Sequence, residues 1–388
     1  MAGSSKVEQT INKKIDWIDV YRGLAIILVV VGHATGKFNM IIYQFHMAAF
    51  FMISGYTSKL EQKSFTSVFI EKFFALVVPY FGVSSIGIIF VKVLARLGYY
   101  DRLFPKEYLL DIKSMFICLF RGELYVQFLG AMWFLIALFG AFIVQKIVID
   151  ILKVFIKKYV IIRMAISLLL YLAAYYFIRN GIRIRLLFID LDFVLLAQLF
   201  ICLGDCSRRL VAVWDQADNR RIFCAFIYLC VGIYILYYFG FVKWNGIDYP
   251  SRYFHEPFID LLCQVNGSIV LYFFSRIICS VSKLIKNALI YVGGHTQGII
   301  FFHFLFFKFV FVIFNYLGIM SNEEVIGAVP TQEIGNKYWL IISATSIVGS
   351  LVLFYFFSKV PVLRFLSGLS RNKYKAISAK VENLLGKK

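Results

Sequence analysis

Charged residues are scarce in this sequence: they make up 16% of its 388 residues, against 61% hydrophobic residues. Soluble domains are about one quarter charged and about half apolar, so the composition excludes a water-soluble globule. The mean hydropathy of +0.78 agrees with this exclusion. No polar stretch is long enough to fold as a separate catalytic module. Any activity must therefore reside in the apolar part of the chain.

Several catalytic and cofactor-binding patterns are also missing. The seven cysteines form no C-x-x-C pair and no Cys/His spacing typical of metal ligands. They lie mostly in apolar segments, and we interpret them as small buried hydrophobic residues. No P-loop and no Ser-His-Asp arrangement is recognisable, so we expect neither a bound metal nor a bound cofactor. With six prolines and no internal repeat, one compact bundle is the simplest interpretation.

Apolar stretches of about 20 residues recur along the chain, and each is long enough to cross a hydrocarbon core of about 30 Å. A single segment can satisfy its backbone hydrogen bonds in lipid only as a helix. The pattern therefore predicts an all-α, polytopic transmembrane helix bundle with about ten spans. The predicted spans are 18–36, 41–57, 69–94, 131–151, 159–178, 188–204, 222–242, 254–281, 289–317 and 338–357.

The net charge of +19 is explained by topology rather than by a nucleic-acid partner. Lys and Arg concentrate in alternate loops, with about 26 on the side of the N-terminus and about 12 on the other, which places both termini in the cytoplasm. We divide the chain into a cytoplasmic segment (1–17), a transmembrane domain (18–358) and a basic cytoplasmic tail (359–388) that contacts anionic lipid headgroups. The first span lacks a cleavage site, so we expect a signal anchor in the cytoplasmic (inner) membrane.

Ionisable side chains inside a membrane are costly and often functional. Arg22 and His33 share the first span and are eleven residues apart, which places them on one helix face and about 16 Å apart along the axis. An Arg at the cytoplasmic edge suits a phosphate-bearing ligand, and a neutral His deeper in the membrane suits proton abstraction or nucleophilic attack. The alternatives are an Arg that reaches the headgroups and a buried, hydrogen-bonded His.

Two more histidines reach a similar depth in the predicted topology. His46 begins the second span, and His303 lies in the outer half of the ninth. We expect these two and His33 to converge around one cavity. Taken singly, His46 fits an interfacial position equally well, and His303 equally fits a side chain that satisfies a nearby carbonyl group.

The first two spans, with R-x10-H followed by FHMAAFFMISGY, resemble the acyltransferase-3 family of membrane-bound acyltransferases. The segments EKFFALVVPYF, GAMWFLIALFG, IDLDFVLLAQLFICLG and ALIYVGGHTQGIIFFHF fit the same ordered pattern, so the similarity spans nearly the whole transmembrane chain. It is closest to the sugar O-acetylating members grouped with fucose acetylases. The resemblance implies transfer of an acyl group from cytoplasmic acyl-CoA to a hydroxyl, often on a cell-envelope polysaccharide or its lipid-linked precursor.

Carried over by position, the family motif falls on Arg22 and His33, with His33 as the catalytic residue; His46, Trp133 and His303 match other recurrent positions. The resemblance thus implies Arg22 and His303 as further catalytic candidates, and it implies His46 and Trp133, with Arg183, as residues that bind or support the acceptor. Family members commonly have basic residues where the third span opens. Here Lys72 remains, while Glu71 and Ala75 occupy neighbouring positions. The resemblance thus implies acetyl-CoA or another acyl-CoA as donor substrate, held by Arg22 and Lys72, with His33 acting as general base or as acyl carrier.

Further polar residues precede the sixth span. Asp190 and Asp192 could contact acceptor hydroxyl groups, although acidic residues also favour helix N-termini for structural reasons. Arg179, Arg183 and Arg185 depart from the positive-inside pattern, which raises the hypothesis of an outer site for an anionic glycan or a polyprenyl phosphate. We also expect Ser54 and Gly55 to permit close helix packing.

Two other functions fit parts of the pattern. About ten spans with embedded His and Arg would also suit a transporter or flippase for a lipid-linked sugar or a polyprenyl carrier. A binding subunit of a polysaccharide synthase is a third hypothesis. The ordered motifs and the absence of repeat symmetry favour the enzyme, whose partners would be acyl-CoA, a carbohydrate or lipid-linked sugar acceptor and membrane lipids, with no nucleic acid.

Overall fold

The computed structural model describes residues 15–214, 219–243 and 246–369. Most of the predicted cytoplasmic N-terminal segment and most of the predicted basic tail, residues 370–388, lie outside the described residues. The described part is almost entirely helical, with one two-stranded antiparallel sheet formed by β1 (Arg185–Leu186) and β2 (Ile189–Asp190). This confirms the predicted all-α class.

The helices follow one another through short loops. In chain order they are α1 (Asp16–Ala34), α2 (Gly36–Ile42), α3 (His46–Ser58), α4 (Phe65–Lys72), α5 (Val78–Arg96), α6 (Tyr100–Leu103), α7 (Ile112–Phe120), α8 (Trp133–Phe155), α9 (Val160–Arg179), α10 (Leu191–Cys206), α11 (Arg208–Trp214), α12 (Asn219–Tyr237), α13 (Pro257–Val281), α14 (Lys283–Gly294), α15 (Thr296–Tyr316), α16 (Asn322–Ile326), α17 (Gln332–Lys359) and α18 (Pro361–Leu366). Wider π turns at Phe73–Val77 and Tyr238–Val242 continue α4 into α5 and extend α12, and a 3₁₀ turn at Gln127–Met132 leads into α8.

Eight helices in the described part of the chain are long and apolar enough to cross a membrane. The chain is therefore a multi-pass membrane protein. The other two predicted spans correspond to α3 and α10, which have 13 and 16 residues. These two helices pack extensively against each other inside the bundle, so their short length is compensated by protein contacts on their flanks.

Glycines explain how closely α3 and α10 approach. A Cβ atom on Gly55 would lie 2.2 Å from the carbonyl oxygen of Ile201, and one on Gly204 would lie 1.9 Å from that of Met52. Both distances are far below van der Waals contact, so only glycine fits at either position. Small residues commonly allow such crossings in membrane proteins. The expected packing role of Gly55 is thus borne out.

Successive long segments alternate in direction and define two faces of the bundle. We call the face where α1 begins the near face and the face where α1 ends the far face. On the near face, Lys286 at the start of α14 forms an ion pair with Asp16 at 3.1 Å. On the far face, Thr35 donates a hydrogen bond to Asn336 of α17 at 3.0 Å. The charge distribution predicts that the near face is cytoplasmic.

Two predicted spans differ in detail from the helices. The second begins at His46 rather than at residue 41, because α2 and a turn come first. The ninth is divided at His295 into α14 and α15, and α14 packs along α1. Both breaks bring polar backbone or side chains into the bundle, and sequence hydropathy averages over such short interruptions.

Buried polar residues also link three helices. Arg163 on α9 is fully buried and donates to Asp205 on α10 at 2.7 Å and to Gln145 on α8 at 2.9 Å. A buried charge needs such partners, because the loss of one partner leaves the other charge uncompensated.

The cysteines fit the sequence interpretation only in part: Cys202 and Cys263 are buried, whereas Cys224 and Cys230 on α12 are exposed.

Candidate active site

The pair of antiparallel helices α1 and α3 carries polar groups at both of its ends. At the near end, Arg22 Nη2 donates a hydrogen bond to Thr57 Oγ1 at 3.1 Å, and Arg22 also pairs with Asp19 at 3.5 Å. At the far end, His33 and His46 flank Tyr43. Thr57 and His46 are eleven residues apart, as are Arg22 and His33. The two ends are therefore about 16 Å apart along either helix.

His33 is held between a tyrosine and a second histidine. Its Nδ1 lies 2.8 Å from the Tyr43 hydroxyl oxygen. Its ring stacks on that of His303, with a centroid separation of 5.6 Å and an interplanar angle of 17°. Phe304 packs against it from another side at 4.9 Å. The three histidines therefore lie together, with Tyr43 between His33 and His46, but of the three only His33 lines the adjacent cavity, so the predicted convergence around one cavity is met only in part.

Hydrogen bonds to backbone carbonyl groups fix the tautomers of the other two histidines, His303 and His46. Nδ1 of His303 lies 2.8 Å from the carbonyl oxygen of Ile299, and Nδ1 of His46 lies 2.9 Å from that of Ile42. Because a carbonyl oxygen only accepts, each Nδ1 carries a proton and each neutral ring keeps a lone pair on Nε2. Nε2 of His303 is buried and has no hydrogen-bond partner within the described parts of the chain.

A cavity of 640 Å³, the His33 cavity, lies beside this cluster at the far end of α1. His33 and Tyr43 contribute to its wall, and the remaining polar wall consists mainly of neutral groups. These neutral polar residues are Thr35, Asn39, Gln332 and Asn336, and Lys37 adds one positive charge to the wall. Side-chain amides and hydroxyls both donate and accept hydrogen bonds, so the cavity matches a ligand rich in hydroxyl groups. Its volume lies within the usual range for small-molecule sites.

Lys308 supports the loop over this cavity, and the sequence interpretation missed it. Its ammonium group is buried and donates to the carbonyl oxygens of Val325, Ile326 and Gly327 at 2.7, 2.8 and 2.6 Å. The following residues, Val329 and Pro330, line the His33 cavity. A lysine within an apolar span was itself a signal, since a buried ammonium must find acceptors.

Glu324 closes the other end of the same loop. Its carboxylate accepts hydrogen bonds from the Ser321 backbone N–H at 2.8 Å and from the Thr331 hydroxyl at 3.0 Å. These bonds, the Ser321 backbone N–H first, lower the pKa of Glu324. The loop between α15 and α17 is therefore fastened both by Lys308 from within the bundle and by Glu324 at the surface.

A second cavity of 340 Å³, the Trp133 cavity, contains most of the residues expected at an acceptor site. Trp133, Arg183 and Asp190 line it, together with Arg252. Asp192 lies behind Arg252 and accepts from its Nε at 2.6 Å. These residues therefore gather at one place on the far face, but their cavity is separate from the wall formed by His33.

The outer arginines are matched by carboxylates. Arg179 pairs with Glu256 at 2.8 Å, and Arg185 with Glu123 at 2.8 Å. Arg183 binds Asp190 through two contacts of 3.2 and 3.0 Å. Asp192 is almost fully buried and forms an ion pair with Arg252. The cluster is therefore an ion-pair network.

Lys72 occupies a different wall from Arg22. Its ammonium lies 3.6 Å from the ring centroid of Phe142 on α8, a cation–π contact, whereas Arg22 bonds to α3. The neighbouring Glu71 is paired with Lys63 at 2.5 Å. Arg22 and Lys72 are thus held by separate helix pairs.

A family model described as an acyltransferase domain matches residues 15–358 of the chain. The matched region begins just before α1 and ends within α17, so it includes both cavities and every residue of the histidine cluster. No curated protein and no solved structure matches the chain.

Proposed function

The chain belongs to the acyltransferase-3 family and is a multi-pass membrane acyltransferase, and we propose that it transfers an acyl group, acetyl in the first instance, from acyl-CoA to a hydroxyl of a cell-envelope carbohydrate or its lipid-linked precursor. The observation that carries this proposal is the histidine cluster around His33, which borders a cavity walled mainly by neutral hydrogen-bonding groups, with Lys37 as a charged lining residue. The family match favours this function over the transporter hypothesis.

We propose that the donor binds from the near face, in the cytoplasmic (inner) membrane. Arg22 is the side chain on α1 suited to a phosphate group of CoA, since a guanidinium forms strong charge-assisted hydrogen bonds with phosphate. Lys72 would supply a second positive charge as a point contact. The roughly 16 Å between Arg22 and His33 is of the order that the extended pantetheine arm would have to cover.

At the far end, His33 has the geometry of a general base. If its Nδ1–H donates to the Tyr43 oxygen, its Nε2 keeps a lone pair for the substrate. His33 would then take the proton of the acceptor hydroxyl as the oxygen bonds to the acyl carbon. The carbon–sulfur bond breaks, and the proton passes to the departing thiolate. The alternative, in which His33 first carries the acyl group, uses the same lone pair.

The stacked His303 fits a supporting role. Its Nδ1 is committed to the Ile299 carbonyl, and its ring limits the rotation of His33. His46 supports Tyr43 from the other side, with a ring-centroid distance of 5.1 Å. Neither ring lines the cavity, so the proposal gives the direct role to His33 alone.

The test is acyl transfer by the purified full-length protein in lipid nanodiscs, supplied with radiolabelled acetyl-CoA and envelope glycans from cells that lack the gene. We expect label in the glycan fraction, released by mild base as an ester. Mass spectrometry of glycans from cells with and without the gene should show the matching acyl mass difference. Absence of both signals, with protein that is folded and monodisperse, would contradict the proposal.

A further inference from the structure

Three loops on the far face build the Trp133 cavity. The segment after α7 contributes Gly122, the β1–β2 hairpin contributes Phe188 and Asp190, and the loop before α13 contributes Arg252. These segments are distant in sequence, so the cavity exists only because the loops are held together. Its volume of 340 Å³ lies at the lower end of the range of small-molecule sites, about 300–1,000 Å³.

The loops hold unusual backbone conformations at this place. Among the described residues, three non-glycine residues have positive φ, namely Lys59, Leu187 and Arg252. Leu187 lies in the hairpin, and Arg252 itself lines the cavity, with φ angles of 54° and 57°. Such conformations are strained for residues other than glycine, and they concentrate at ligand-binding sites. Arg252 is held in place by Asp192 and by the ring of Phe193, 4.5 Å away.

The charges around the cavity cancel. Three arginines, Arg183, Arg185 and Arg252, are paired with three carboxylates, Asp190, Asp192 and Glu123. An anionic ligand would have to displace one of these carboxylates from its arginine. An uncharged ligand with several hydroxyl groups, in contrast, can bond to the remaining donor and acceptor positions of the network without breaking it.

Aromatic side chains form much of the remaining wall, beside aliphatic residues and glycines. Trp133, Tyr80, Phe188 and Phe193 line the cavity. The indole of Trp133 is itself fixed by Tyr249, which stacks on it at 5.8 Å with an interplanar angle of 17°. A rigid aromatic face beside paired polar groups matches a ring that is apolar on its faces and polar at its edges.

We propose that the Trp133 cavity is a subsite that binds one uncharged sugar unit of the acceptor, with the pyranose ring against Trp133 and its hydroxyl groups bonded to Arg183, Asp190 and Arg252. This inference rests on the proposed function and specifies its substrate class. Anionic sugars are disfavoured because every nearby arginine is already neutralised.

Phe304 lies near both this subsite and the proposed catalytic residue, His33. Its ring lies 4.9 Å from His33, and its Cε2 lies 3.9 Å from the position of a Cβ on Gly130, which lines the Trp133 cavity. One aromatic ring therefore lies between His33 and Gly130, a residue of the Trp133 cavity wall. A sugar unit in the Trp133 cavity would be close enough to His33 to belong to the same acceptor as the reacting hydroxyl.

The experiment is saturation-transfer NMR on the full-length protein in nanodiscs. The probes are methyl glycosides of glucose, galactose, mannose, rhamnose and N-acetylglucosamine, with methyl glucuronide as the anionic counterpart. We expect at least one neutral glycoside to bind, and Trp133→Leu to weaken it about tenfold, equivalent to about 1.4 kcal/mol. Trp339→Leu is the matched control, because Trp339 packs on Phe38 and lines neither cavity; we expect unchanged affinity.

Two further variants control for misfolding and test the alternative that the cavity binds an anionic sugar. Ala137→Leu adds volume inside the cavity and should also weaken binding, while Trp133 is left intact. Arg183→Gln removes one of the proposed hydrogen-bond donors, so neutral-sugar affinity should fall about threefold, less than in Trp133→Leu because the Arg183 side chain is half exposed. Binding of no neutral glycoside, binding unaffected by both Trp133→Leu and Ala137→Leu, or preferred binding of glucuronide that depends on Arg183 would overturn the subsite.

The sugar subsite and the proposed function can be contradicted independently of each other. Neutral-sugar binding that depends on Trp133, without acyl transfer to any glycan, would support the subsite and contradict the carbohydrate acyltransferase. Acyl transfer to a glycan with an acceptor KM unaffected by Trp133→Leu would support the enzyme and overturn the subsite.

Discussion

The two ends of the α1–α3 pair are built from the same two helices but differ in chemistry. At the near end a charged group, Arg22, is held by a hydroxyl and a carboxylate. At the far end a neutral group, His33, is held by a hydroxyl and by aromatic rings beside a cavity. The proposed function divides the roles accordingly: the near end would bind the charged donor, and the far end would transfer the proton.

The largest expected effect is at the far end. His33→Ala removes the only histidine of the cluster that lines the cavity, so kcat should fall about a thousandfold, within the usual contribution of a general base. Initial rates with radiolabelled acetyl-CoA measure this. His255→Ala is the matched control, since His255 lies in the loop before α13 and lines neither cavity. Retention of the rate by His33→Ala would remove His33 from the mechanism.

The next effect is at the near end, and it should appear in a different kinetic constant. Arg22→Ala removes a guanidinium, and hydrogen bonds to charged groups contribute about 1.5–3 kcal/mol. We expect the KM for acetyl-CoA to rise ten- to a hundredfold, with a smaller change in kcat. Arg364→Ala, on exposed α18 at the same face, is the control for general loss of positive charge. A fall in kcat at saturating acetyl-CoA with KM unchanged would break the proposed division.

A smaller effect is expected when only the support of His33 is removed. Tyr43→Phe deletes the hydroxyl that lies 2.8 Å from Nδ1 while it preserves the ring. One hydrogen bond contributes about 1 kcal/mol, so kcat should fall five- to tenfold and the KM for acetyl-CoA should stay constant. Tyr237→Phe, an exposed tyrosine on α12, serves as control. A rise in acceptor KM with constant kcat would instead make Tyr43 an acceptor-binding residue.

The sequence predicted the class of the fold well and the lengths of its helices less well. Long apolar runs are sufficient to identify spans, because the bilayer sets their length. Gly55 and Gly204 explain the two exceptions: they let α3 and α10 cross so closely that both helices can be short. A contact between residues so far apart in the chain leaves no periodic signal in either segment.

The part of the site that lies on a single helix could be predicted from the sequence. The spacing of Arg22 and His33 on α1 follows from helix geometry, and convergence with His303 followed from depth. Tyr43 was missed because its role depends on the turn between α2 and α3, which brings it back towards His33. Lys308 was missed because its acceptors, the carbonyl oxygens of Gly327 and of the last two residues of the short helix α16, come close to it only in the tertiary structure.

The separate location of Trp133 and Asp190 could not be read from the sequence either. Trp133 was predicted from a recurrent family position and Asp190 as a contact to the acceptor, but the cavity that they share depends on the positions of the hairpin and of Arg252. The predicted spans define how deep each residue lies in the membrane, but they do not define how the helices are arranged around the bundle. Residues of equal depth can therefore line different cavities.

The smallest expected effect is the counterpart of Tyr43→Phe at the near end. Thr57→Val removes the hydroxyl that accepts from Arg22 at 3.1 Å and keeps the shape of the side chain. Arg22 is partly exposed and also pairs with Asp19, so solvent and the carboxylate replace much of the lost contact. We expect the KM for acetyl-CoA to rise about threefold, which corresponds to a fraction of the free energy of a typical hydrogen bond, with kcat unchanged.

The double variant Arg22→Ala/Thr57→Val should resemble Arg22→Ala alone, because Thr57 acts through the arginine. Additive effects would show that Thr57 contributes to the donor site independently, and a loss of kcat in Thr57→Val would show that the two ends of the helix pair are not separate in function.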